Sequence, residues 1–453
     1  MSHKSSLNLA LVILWLSLST AFFSPSALGQ SAAREKPKIK NFGSSLDRLK
    51  WDPEKHTAIE KPPKAKGNKS EEEDVLRVET ALVVCNFLVL DKQGRSVLGL
   101  SRDDFVLSED GQPQPVGIFS LGENTTIPRS IVLIIDYSSS QFPFIQTSIE
   151  AAKTLVDKLG PSDLMAIVTD DVELLQDFTH DKERLKKRLD SLIKKATSGG
   201  GGFSFQRNRF GRSAQFSALM ATLKEAFDDE DLRPIIIFQT DGDELGLLRD
   251  PIISLFIPTH LLPSNLQKEQ QKMAARMQQY LRDELKPFSL NDVLRAAEAS
   301  RATIYTVMPG FRLIGLTPDQ QLEQLKAHQE KSLSAWFKPG DREKERARRE
   351  EHLRDMPVEA ARYNAEQSFK TQLALLGVSK ITGGWLDFLE EPSQAPEIYS
   401  RILANINQRY IIGYYPTNKQ HDGKRRIVKV EVRGHPEYTV WGRKSYYAPG
   451  PEE

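Results

Sequence analysis

Residues 131–141 read IVLIIDYSSSQ. Five aliphatic side chains in a row, three of them Ile, suit a strand covered on both faces, as in a parallel sheet. The run breaks at Asp136, and Ser138 and Ser140 follow at once. A carboxylate and hydroxyls are thereby placed in the loop that leaves the strand. In open α/β sheets, ligands bind outside the carboxyl ends of the strands, where the strand order reverses. Ile145, Ile149, Ala152 and Val156 then recur at helical spacing, and Gly160-Pro161 stops that helix.

The same strand–helix alternation continues outward. Residues 164–168 read as a second strand and 172–178 (VELLQDF) as a third, at an edge. Leu185, Leu189, Leu192 and Ile193 mark an amphipathic helix opened by Asp181, with its Lys and Arg on the solvated face. A helix is expected at about 213–227, then a buried strand at 234–240 (PIIIFQT). Ser289 and Asp292 form a capping box for a helix that leads into a strand at 303–308. Ile398, Ile402, Leu403 and Ile406 line one more helix. The expected fold is α/β, a doubly wound, mostly parallel, Rossmann-like sheet. Strand 234–240 ends in Asp241-Gly242-Asp243-Glu244, so a second acidic loop should leave the same edge. Asp241 is the ligand candidate there, and Asp243 and Glu244 read as solvated loop carboxylates or as groups just behind the ligands. Asp170 and Asp171 read as turn residues.

Other segments fall outside this alternation. Residues 1–29 have a basic start, an apolar run and Ala27-Leu28-Gly29, the pattern of a cleaved secretory signal peptide. The apolar run is shorter than the roughly 20 residues of a spanning helix, and no later segment is apolar enough to span. The expected location is periplasmic or extracellular. Residues 30–73, rich in Lys, Pro, Ser and Glu, read as a disordered linker. Short strands and turns at 74–126, with a hairpin signal at Asp110-Gly111, read as a β module. The α/β domain spans 127–407, with charged insertions at 245–287 and 312–375 read as solvated excursions. Strands in 408–450, among them RRIVKVEVRG with Val428, Val430 and Val432 on one face, are expected to join the 74–126 strands.

Composition excludes several functions. Among the 453 residues, 62 Lys and Arg balance 61 Asp and Glu, which argues against a nucleic-acid binder. The single cysteine, Cys85, rules out an internal disulfide framework and a Cys-cluster metal site. The eight histidines show no H-E-x-x-H pair, which argues against a zincin. The glycine run before residue 213 lacks the G-K-[ST] ending and follows a helix, so it reads as a flexible loop.

The D-x-S-x-S string after one aliphatic strand, with T-D-G after another, resembles the von Willebrand factor A domain. The resemblance implies a metal-ion-dependent adhesion site formed by Asp136, Ser138, Ser140, a third-loop hydroxyl and Asp241. The family often writes that third loop as G-x-T-A-L, and Gly211-Arg212-Ser213-Ala214-Gln215 stands here, so Ser213 is the candidate. The family's frequent Gly between the serines is Ser139, and its frequent Met afterwards is Gln141. The segments around VLDKQGRSVLGLSRDDFVLSEDGQPQPVGIFS, ITGGWLDF, RYIIGYYP and Arg443-Lys444-Ser445-Tyr446-Tyr447-Ala448-Pro449 are similar to those of the secreted, acidobacterial von Willebrand factor A-related family.

Oxygen ligands suit a hard cation, here Mg²⁺ or Mn²⁺, and an acidic group of a protein partner can replace one of its waters. Metal-dependent protein binding or adhesion, without enzymatic activity, is therefore the leading expectation. A scaffold with a degenerate site, binding partners through its helical insertions, is the alternative. A Mg²⁺-dependent phosphoryl transferase with Asp136 as nucleophile is the third; it lacks a second carboxylate two residues on, where Ser138 stands.

Overall fold

A computed structural model describes residues 49–52, 57–60, 82–121, 129–138, 141, 144–197, 214–227, 233–254, 256–264, 267–268, 271–272, 286–336, 347 and 356–450. The expected signal peptide lies outside them. Within the expected linker, β1 (Leu49–Asp52) and β2 (Thr57–Glu60) pair antiparallel. Those eight residues are therefore regular structure, with Trp51 opposite Ala58 and Lys50 opposite Ile59.

Four strands follow: β3 (Val83–Leu90), β4 (Phe105–Glu109), β5 (Gln112–Gln114) and β6 (Ile118–Ser120). The β4–β5 turn places Asp110 at φ +47° and Gly111 at φ +81°. Two left-handed residues in succession are what a type I′ hairpin requires.

The aliphatic run forms β7 (Ser130–Ile135), buried along its whole length. The α/β layer continues with α1 (Ile145–Asp157), β8 (Leu164–Thr169), β9 (Leu174–Thr179), α2 (Lys182–Thr197), α3 (Gln215–Glu225) and β10 (Pro234–Gln239). It is completed by α4 (Leu290–Ala299), β11 (Thr303–Pro309), α5 (Pro318–Trp336), α6 (Val358–Ile381), β12 (Leu386–Leu389) and α7 (Ala395–Asn407). The sheet order is β12-β11-β10-β7-β8-β9. All neighbours are parallel except β9, which pairs antiparallel with β8 at the edge.

Side chains alternate even within the continuous apolar run. Ile131, Leu133 and Ile135 pack with α1, α2 and α7, through residues such as Ile149, Leu189 and Ile402. Val132 and Ile134 face the other way, onto Phe216 of α3, Val293 of α4 and Val378 of α6. Helices thus cover both faces, which explains why these strands need no polar positions. The strand order reverses between β7 and β10, whose carboxyl ends carry the two acidic loops.

The chain then returns to β structure with β13 (Tyr410–Tyr414), β14 (Arg425–Val432), β15 (Thr439–Gly442) and β16 (Ser445–Tyr447). They complete two four-stranded sheets, β15-β3-β13-β6 and β16-β14-β4-β5. The sheets share one core that includes Cys85, Phe87, Leu107, Ile412 and Val430. Strands from both sides of the α/β layer therefore build one β sandwich.

The insertions are not merely solvated. In α6, Ala360, Thr371, Gln372 and Leu375 are buried. Ile257 and Leu262 of the first insertion form a small core with Ala360. The sequence reading weighed charge content, and these apolar and amide positions recur sparsely enough to escape it. The 341–355 charge run lies almost wholly outside the described residues. No helix among the described residues is long and apolar enough to cross a membrane.

Candidate functional site

Asp136 and Asp241 leave adjacent parallel strands, with Ile135 paired to Gln239. The Asp136 N–H donates to the Gln239 carbonyl at 2.9 Å, so both loops start side by side. Asp136 and Ser138 are buried, each 2 % exposed. The Ser138 N–H donates to Asp136 Oδ1 at 2.9 Å, the local closure by which an aspartate organises a turn two residues on. Thr240 Oγ1 donates to Asp136 Oδ2 at 3.2 Å and accepts from the Gly242 N–H at 3.0 Å.

A third element reaches the same place. The Ala214 N–H donates to the Asp170 carbonyl at 2.9 Å, which starts α3 at the edge where β8 ends. Gln215, fully buried, then turns its side-chain amide between the acidic loops. Its Nε2 donates to Asp136 Oδ2, lies 3.2 Å from Asp241 Oδ1, and reaches Asp243 Oδ1 at 2.8 Å. From the other side, Gln141 Nε2 donates to Asp241 Oδ2 at 2.6 Å. Among the described residues, the buried Gln141 Oε1 atom has no hydrogen-bond partner.

Two acidic residues read as peripheral are integral to this edge. Asp170 is fully buried and accepts from the Tyr137 N–H at 3.1 Å. Burial first, and then the charges of Asp136, Asp171 and Asp243, push its carboxyl well above the usual range. Asp170 is therefore more than a turn residue. Glu244 is also fully buried, which fits the expectation of a group behind the ligands and not that of a solvated loop carboxylate. It accepts from the Phe216 N–H, from Ser217 Oγ at 3.3 Å, and pairs with Lys286 Nζ at 3.3 Å. Burial raises its carboxyl, and Lys286 is the main opposing influence. Glu244 ties the start of α3 to the second acidic loop. Gly242, at φ +76°, allows that loop to press on α6, where a Cβ would stand 2.9 Å from Thr371 Cγ2.

Asp136, Ser138 and Asp241 thus lie at the switch point, and Ser140 and Ser213 lie outside the described residues. The sequence reading missed Gln215 as a participant. The available signal was a polar side chain at a helix start where the resemblance supplies Leu. Among the described residues, no three His, Cys, Asp or Glu side chains form a metal-holding group. The expected ligand set has two carboxylates and three hydroxyls, so its chemistry differs from such a group. The two carboxylates are already directed at one point, the Gln215 nitrogen. A position flanked by carboxylate oxygen, with a serine next to it, fits a hard divalent cation.

Compared with known proteins, the chain matches no family model and no curated protein. Among solved structures it is similar to the conserved hypothetical protein BatB from Bacteroides thetaiotaomicron, at 11% identity and a TM-score of 0.30, covering 61% of this chain and 98% of that one. It is similar to a von Willebrand factor type A protein from Catenulispora acidiphila, at 12% identity and a TM-score of 0.29, covering 83% and 76%. It is also similar to the vWF domain of the type V pili tip protein Mfa5 from Porphyromonas gingivalis, at 13% identity and a TM-score of 0.27, covering 62% and 95%. The six-stranded, mostly parallel sheet with helices on both faces is itself a doubly wound α/β fold.

Proposed function

We propose that this protein binds a protein partner through a divalent cation, Mg²⁺ or Mn²⁺, held at the β7–β10 switch point. Asp136, Ser138, Ser140, Ser213 and Asp241 hold the ion directly or through water, and an acidic side chain of the partner completes its coordination. The protein acts as an adhesion or interaction module outside the cytoplasm, and it is not an enzyme. The observation that carries this reading is the convergence of Asp136 and Asp241 on one nitrogen, from loops that leave neighbouring parallel strands. Only two of the five ligands carry a charge, and the three hydroxyls leave the ion able to take a carboxylate in exchange for water. The secretory pattern of residues 1–29 supports the location.

Calorimetry with Mg²⁺ and Mn²⁺ tests this on the mature protein and on Asp136→Ala. Binding in the first that disappears in the second is expected. Equal heats for both proteins overturn the reading.

A specific observation favours a second reading, the scaffold whose metal site has degenerated. The amides of Gln141 and Gln215 already satisfy the carboxylate oxygens of Asp241 and Asp136. Partners would then meet the helical insertions at 245–287 and 312–375, and capture would survive Asp136→Ala.

A further inference from the structure

The Gln215 amide nitrogen has three carboxylate oxygens within hydrogen-bonding reach, from Asp136, Asp241 and Asp243. A primary amide carries two N–H bonds, so one of the three is always left with a shared or weakened interaction. Three carboxylates gathered about one point repel one another, and a group carrying the positive end of a dipole is what holds them there. Gln215 is in this respect a neutral substitute for a cation. It is fully buried, and its Oε1 is 3.5 Å from the Glu244 N–H, so the side chain is also held from behind. A cation seated between these carboxylates would take the position that this nitrogen now holds.

We propose that Gln215 is an internal latch that competes with the divalent cation for Asp136 and Asp241, so that loading requires its amide to swing out from between them. This rests on the metal-binding reading above and adds to it a built-in threshold: the site loads only where the cation is concentrated enough to displace the amide. The latch begins α3, since Gln215 is its first residue and Phe216, the second, is tied to Glu244. Displacement therefore acts on the start of a helix, and loading is transmitted to the α3 face of the sheet as well as to the partner-facing loop. Gln141 assists from the far side by satisfying Asp241 Oδ2 while the latch is closed.

The test compares the full-length mature protein with Gln215→Met, which keeps the length of the side chain and removes its donors. Gln215→Leu serves as a second variant should the first pack poorly. Hydrogen bonds to charged groups contribute about 1.5–3 kcal/mol, so removing the competitor should tighten Mn²⁺ binding by about tenfold or more. The variants should melt lower than the parent in chelator and gain more on adding Mn²⁺, because a tighter site gains more by mass action. Circular dichroism in chelator checks that each variant is folded. Mn²⁺ affinity in the variants equal to or weaker than in the parent overturns the latch while leaving the metal site standing. Absence of Mn²⁺ binding in the parent and in both variants overturns the metal site and the latch together.

Discussion

Glu298 Oε1 accepts a hydrogen bond from Arg425 Nε at 2.7 Å, joining α4 of the α/β layer to β14 of the sandwich. The same carboxylate accepts from Ser445 Oγ, and Arg443 donates to the Glu298 and Ala302 carbonyls at the end of α4. A guanidinium at a helix C-terminus is favoured by the helix dipole. Burial pulls the Arg443 guanidinium down to about 10, which still leaves it charged at neutral pH. Glu298→Ala should cost about 1–2 kcal/mol, because it removes the buried acceptor of Ser445 Oγ, while the half-exposed Arg425 is rehydrated. Chemical denaturation checks this, and a cost below about 0.5 kcal/mol would show that the junction is not held by this residue.

The two glycines before β12 do different work. Gly383, at φ +84°, offers its carbonyl to Arg409 and to Trp441 Nε1, the latter at 2.9 Å. A Cβ on Gly384 would collide with the Ile304 carbonyl of β11. Gly384→Ala should therefore destabilise by more than about 3 kcal/mol through backbone displacement. Gly377, within α6, has open space at its Cβ. Gly377→Ala should stabilise by about 0.5–1 kcal/mol through the unfolded chain. Melting of the two variants separates these effects, and similar melting shifts would contradict the argument.

Asp170 predicts a pH dependence. Its carboxyl is raised in the folded protein, so the fold holds this proton more tightly than the unfolded chain does. The associated stability is fully present below the unfolded pKa and is lost as pH rises through the folded one. Asp170→Asn keeps an oxygen for the Tyr137 N–H and removes the charge. In chelator, it should stabilise by about 1 kcal/mol or more near pH 7.5, with the gain vanishing below pH ~4. Melting curves at both pH values decide it; a destabilised variant at pH 7.5 would refute the burial argument.

Cys85 should behave as an inert core residue. It is 2 % exposed, and burial pushes its thiol up to about 11, with the Arg443 charge opposing. A thiol reagent at pH 8 should leave the folded protein unmodified and label one site per chain in denaturant. Rapid labelling of the folded protein would show that the β3–β13 core opens freely.

Much of the architecture was readable because apolar periodicity reports burial directly. The unbroken run of β7 marked a strand covered on both sides, and the alternation in β14 placed Val428, Val430 and Val432 on its inner face. Strands before and after the α/β layer were expected to combine, and they do, through β3–β13 and β4–β14. Segments noted only as family likeness have a physical role. ITGGW, RYIIGYY and the Arg443–Ser445 segment meet where the sandwich docks on the α/β layer. The roles of Gln215, Asp170 and Glu244 could not be read from local pattern. A buried polar side chain looks like any other until its partners, from distant loops, are brought to it. The buried face of α6 was hidden for the same reason, since Gln372 serves the core by bonding the Leu313 N–H at 2.8 Å and the Phe311 carbonyl at 2.8 Å.

The hydroxyl of Tyr414 meets Glu109 at 2.7 Å across 305 residues of chain. A ribosome therefore releases β3 and β4 long before β13 and β14 exist to cover them. Contacts this distant in sequence form late, because the loop entropy must be met before they contribute. The Val- and Leu-rich β3 waits through synthesis of the entire α/β layer with an unpaired edge, a state prone to aggregation.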